Sequence, residues 1–169
     1  MLQGDKKGFS IPAAELSIHL PAWEYHIHTL FSDGVATIRE CAKRAHDKGL
    51  SRIVFTEHTE PWKTKMSGWF TEYVSDVRET AQHYSGVMEI YLGVEAAATD
   101  FDKGLELTEE MGQEADYILG AAHRYPGLDG QRVRNLPSNE CMRLEFATLM
   151  ALANNPKIDA IAHIGGTCS

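Results

Sequence analysis

The sequence has little cysteine, no long apolar run and no excess of positive charge, and each shortage removes a class of protein. Cys41, Cys141 and Cys168 are odd in number and far apart, which makes neither a disulfide framework nor a zinc knuckle. No apolar stretch reaches the length of a membrane span, and the segment before Trp23 carries Lys6 and Lys7 without the apolar core of a secretory leader. A cytoplasmic chain away from membranes is therefore expected. The formal net charge of −8 disfavours binding long nucleic acids through their phosphates. A small phosphorylated substrate is still open, because bound metal cations would reverse the field locally. Low-complexity tracts and linkers are missing too, so residues 1–169 are expected to form one domain with a sizeable core.

What is present is an alternation of short apolar strands and amphipathic helices. Glu24–His28, Arg52–Thr56, Val87–Val94, Asp116–Ala121 and Ile158–Ala162 read as strands. Between the first two, Thr37 and Glu40 form a capping box, apolar residues follow at helical spacing, and Gly49 supplies the stop. A second helical stripe runs from Phe70 to Tyr84, a weak one covers Gly104–Met111, and a long one covers Ser138–Asn154 before Pro156. Strand–helix alternation of this kind implies parallel strands joined by right-handed crossovers, an α/β class.

The chemistry lies in where the polar residues fall. His26 and His28 sit two apart on a strand, so both project from one face. Asp33 follows in an Asp-Gly turn, where turn chemistry alone would also favour it. The later strands end in Thr56-Glu57-His58, Gly93-Val94-Glu95, Ala122-His123-Arg124 and His163-Ile164-Gly165-Gly166. In barrels of parallel strands these ends converge on one rim, where active sites sit. Imidazole and carboxylate without thiolate suit Zn, Mn or Fe as divalent ions, and so many ligands exceed the needs of one. Glu95 can bridge two ions, and Arg124 can grip a phosphate through its planar fork. Trp23, Trp62 and Trp69 read equally as core or pocket wall. His19, His46 and His83 read as surface or packing residues, and Cys41 as an inert member of its helix stripe.

The run His26-x-His28-Thr29 with Ser32-Asp33-Gly34, then Thr56-Glu57-His58, Gly93-Val94-Glu95, Ala122-His123 and Ala162-His163, resembles the PHP (polymerase and histidinol phosphatase) family over nearly the whole chain. The resemblance implies a distorted (β/α)7-type barrel of parallel strands with two or three divalent metal ions at its carboxyl rim. It also implies that His26, His28 and Glu95 hold one ion, Glu95, His123 and His163 a second, and Asp33 with His58 a third. The activity implied is hydrolysis of a small phosphate monoester, histidinol-phosphate-like or a nucleotide, by a metal-activated hydroxide. The family closes its site with a late Asp-x-His motif that does not follow His163 here. An incomplete barrel of about five strand–helix units is thus expected, with self-association covering its open strand edges. The alternative reading is a non-catalytic metal-binding module that needs a partner or a further segment.

Overall fold

A computed structural model describes residues 8–15, 20–64, 67–128 and 135–166. His19 and Cys168 lie outside the described residues. Five strands, β1 (Trp23–Ile27), β2 (Arg52–His58), β3 (Glu89–Ala97), β4 (Tyr117–Ala121) and β5 (Ala160–Ile161), pair in chain order β1-β2-β3-β4-β5. Every pairing is parallel. Helices α1 (Ile38–Asp47), α2 (Trp69–His83), α3 (Glu109–Glu114) and α4 (Ser138–Ala153) fill the four crossovers. The result is a curled half-barrel, the incomplete (β/α) barrel that the family resemblance implies.

Burial explains the two faces of the sheet. Ile53, Phe55, Ile90, Leu92, Val94 and Ile118 point outward and pack with Ile38, Ala42, Phe70, Tyr73 and Val77 of the helices. The alternate residues Val54, Tyr91, Tyr117, Leu119 and Ala121 point inward and form a second cluster with Phe9 and Tyr25. Alternation with period two is what a strand must give when both faces are covered. The buried Tyr73 hydroxyl ties α2 to the sheet, lying 2.9 Å from the Phe55 carbonyl oxygen and 2.8 Å from that of Gly93.

Local signals account for most element ends. The Glu40 amide donates to Thr37 Oγ1 at 3.2 Å and the Thr37 amide donates to Glu40 Oε2 at 2.8 Å, so the capping box forms in full. Gly49 takes φ 76° at the end of α1, a left-handed conformation that costs glycine little. The weak third helix departs from expectation. Gly104 lies in a turn whose amide, with that of Asp102, donates to Asp100 Oδ1 at 2.8 Å, and the helix starts only after Thr108 caps Met111. Strand β3 is also displaced, beginning at Glu89 and running to Ala97, so Glu95 sits within the strand instead of at its end.

Candidate metal centre

The geometry at the rim begins with an irregularity in β1. Glu24 pairs with Ile53 and Ile27 with Phe55, so three steps along β1 match two along β2. A bulge of this kind inserts one extra residue on one strand. Tyr25 packs in the inner cluster, Ile27 packs on the helix side, and His26 and His28 both reach the inside. Their Nε2 atoms lie 2.9 Å apart. The i, i+2 expectation therefore holds across Ile27.

Glu95 is the hub. Its carboxylate, fully buried, has His26 Nε2 at 3.3 Å, His28 Nε2 at 3.4 Å, His58 Nδ1 at 2.9 Å, His123 Nε2 at 3.2 Å and His163 Nε2 at 2.9 Å. Asp33 Oδ2 stands 3.3 Å from His58 Nε2, with its side chain 61% exposed. All seven expected ligand residues are thus brought together. Among the described residues, three trios have donor atoms within 4.8 Å of one another: His26–Glu95–His163, His28–His58–Glu95 and His58–Glu60–His123. They group the residues differently from the division the family resemblance implied, although Glu95 is shared by two of them.

Arg124, the expected phosphate contact, stacks on an aromatic ring. Its guanidinium carbon lies 3.7 Å from the centroid of the Trp62 ring, a cation–π stack at the mouth of the site. Trp62 is half exposed, whereas Trp69 is buried in the core and also lines a neighbouring cavity. Burial pushes the Cys41 thiol up, with Glu57 and Glu40 adding to it, which suits an inert cysteine.

Three charged residues that the sequence reading left unassigned shape the site. Glu57, fully buried, accepts from the Thr29 amide at 2.7 Å, from Thr29 Oγ1 at 2.6 Å and from the Ser32 hydroxyl. It thereby pins the turn that carries Asp33. In the same turn Gly34 is required by close approach, since a Cβ there would collide with the His28 carbonyl. Glu60, also fully buried, lies 2.6 Å from His123 Nδ1. Lys63 Nζ lies 3.3 Å from His58 Nε2 and 3.8 Å from Glu60 Oε1. A Thr-Glu-His-Thr-Glu run hints at the extra carboxylates, but nothing in it says which way they fold.

The donor set fits divalent cations. Donor atoms roughly 3–3.5 Å apart are spaced as two ligands around one ion with bonds of about 2.0–2.2 Å. Among the described residues, His28 Nδ1 is buried without a hydrogen-bond partner, a costly arrangement that a cation would relieve. Burial would raise the Glu95 carboxyl, but the imidazoles of His123, His26, His28 and His58 hold it far below the usual range. Burial would lower the His123 imidazole, and its bonds to Glu60 and Glu95 instead push it up to about 9. Metal and protons therefore compete for the same atoms.

Residues 24–167 match the PHP domain family. The chain belongs to it. Among PHP-domain relatives, a probable histidinol-phosphatase of Clostridium acetobutylicum is 30% identical over 149 residues, covering 84% of this chain and 56% of that protein. A probable histidinol-phosphatase of Deinococcus radiodurans is 34% identical over 109 residues, 58% of this chain and 40% of the relative. The chain spans about half the length of the curated relatives it matches. The fold agrees with that of a histidinol phosphate phosphatase from Lactococcus lactis, solved with zinc, L-histidinol and phosphate. The TM-score is 0.67 at 21% identity, over 86% of this chain and 58% of that one. No helix among the described residues is long and apolar enough to cross a membrane.

Proposed function

We propose that this PHP domain acts in metal-dependent hydrolysis of a small phosphate monoester, histidinol-phosphate-like or a nucleotide. The observation that carries the reading is the convergence of five imidazoles from four strand ends on the buried carboxylate of Glu95. His26, His28, Asp33, His58, Glu95, His123 and His163 would hold two or three divalent ions of Zn, Mn or Fe. Bound there, such ions supply Lewis acidity toward a phosphoryl oxygen and make water acidic enough to yield a nucleophile near neutral pH.

The chain's own residues supply the rest. The carboxylates of Asp33, Glu60 and Glu95 would repel a phosphate dianion, so substrate binding needs cations at the mouth. Arg124, steadied flat on Trp62, offers a bidentate fork to the phosphoryl oxygens. Lys63, beside His58, offers a second positive charge on a movable stem. A cavity of about 580 Å³ adjoins the rim through Thr59 and is walled by Trp69, Leu105, Met111, Thr64, Glu106 and Thr108, giving the organic part of a substrate a berth of mixed polarity.

The same clusters of donor atoms also suit a second reading, a metal-binding module whose ions stabilise the fold without turnover. One experiment separates them. Metal content is measured on protein purified without chelator, and hydrolysis of an aryl phosphate is assayed on the same sample. Two or more ions per chain with metal-dependent turnover, abolished by His123→Ala in a folded variant, is expected. Ions that raise the melting temperature with no phosphoester cleaved would favour the module.

A further inference from the structure

We infer that Glu60 is a positioning residue which fixes the ring orientation and tautomer of His123, so that Nε2 is presented to the metal cluster. The inference rests on the metal-dependent reading above and adds a residue outside the expected ligand set. His123 is held at both ring nitrogens, with Glu60 Oε1 2.6 Å from Nδ1 and Glu95 Oε1 3.2 Å from Nε2. A buried carboxylate only accepts, so the short contact to Glu60 requires a proton on Nδ1. The ring nitrogen left to face Glu95 is then Nε2, the atom on the cluster side. A carboxylate on the far nitrogen of a ligating histidine orients the ring and makes it a stronger donor.

Glu60 is built for this task by its loop. The Thr59 amide donates to the Glu95 carbonyl at 3.2 Å, which carries the chain from the end of β2 toward β3. The Lys63 and Thr64 amides then both donate to the Glu60 carbonyl, at 2.9 Å and 3.3 Å, closing a turn around Pro61. That turn drops the Glu60 side chain into a fully buried position reached by the Lys63 ammonium at 3.8 Å. A direct-ligand role is the competing assignment, since Glu60 Oε2 is 3.6 Å from His58 Nδ1 and has no hydrogen-bond partner. The 2.6 Å contact decides for positioning, because it commits the other oxygen to the outward side of His123.

The test uses zinc affinity and stoichiometry, read by competition with a chromophoric chelator, on the parent, Glu60→Ala and Glu60→Gln. A positioning role predicts about 10–100-fold weaker binding of one ion in Glu60→Ala, unchanged stoichiometry at saturating zinc, and recovery of most of the affinity in Glu60→Gln, whose amide oxygen still accepts from Nδ1. Loss of one whole ion in both variants would make Glu60 a ligand and overturn the inference, as would parental affinity in Glu60→Ala. Should Glu60→Ala fail to fold, ¹⁵N spectra of the zinc-loaded parent decide alone. His123 protonated at Nδ1 and metal-bound through Nε2 is expected, and the opposite tautomer refutes it. A parent that binds no divalent ion would instead sink the metal-dependent reading itself.

Discussion

The two sides of the rim are built differently. On the side of β2 and β3, pairing is continuous from Arg52↔Glu89 to His58↔Glu95, and Glu57, Glu60 and Glu95 are fully buried with His58 nearly so. On the other side, β4 and β5 share only the pairs Leu119↔Ala160 and Gly120↔Ile161, and the His163 side chain is 45% exposed. His163 is also, among the described residues, the one non-glycine with positive φ, at 21°. Its turn is held by Glu145 of α4, which accepts from the Gly165 amide at 2.7 Å. The middle strands thus hold the carboxylate frame in place, and the edge histidines are brought to it. A positive φ at a non-glycine residue is costly and persists only where the surroundings hold it, as Glu145 does here.

Substitutions at the cluster probe this contrast hardest. Glu95→Gln removes the charge on which all five imidazoles meet, and loss of all bound metal by at least about 100-fold in affinity is expected. Metal content after dialysis checks it, and a variant that keeps its ions would refute the hub. Next in size, His58→Ala should weaken metal binding more than His163→Ala, because the buried position cannot be replaced by water as easily. Equal losses would show that burial does not rank the ligands, and chelator competition on both variants would reveal it.

The strand ends were legible because polar residues that break an apolar strand must go somewhere, and in parallel sheets they go to one rim. His26, His28, His58, His123 and His163 declare themselves this way, as do the Thr37 box and the Gly49 stop. The rest depended on distant partners. The β1 bulge is a mismatch of register between two strands, which neither strand reveals alone. The inward side of Glu95 follows from the alternation of β3, but its place beside His58 depends on the register with β2. Glu60 acts on a residue 63 positions away, through a turn whose direction is set by the Glu95 carbonyl. The position of Arg124 after His123 marks it as a candidate phosphate contact, but its stacking partner Trp62 belongs to a distant loop and is not legible from that position.

Away from the metal the same contrast should appear in stability, at smaller scale. Tyr73→Phe deletes one buried hydroxyl that serves the Phe55 and Gly93 carbonyls on the well-packed side. Leaving those acceptors short costs about 1–3 kcal/mol. At roughly 2–4 °C per kcal/mol for a domain of this size, the metal-free melting temperature should fall by a readable amount. On the open side, Met142, Phe146 and Met150 line one exposed face of α4 at helical spacing. Phe146→Ser removes a larger apolar group, but one already 65% exposed, so folding stability should move by no more than about 0.5 kcal/mol. Loss of one oxygen from the frame should therefore outweigh loss of a whole aromatic ring from α4. If urea titrations ranked them the other way, the α4 face would be packed in solution, and the edge would be as firmly built as the centre.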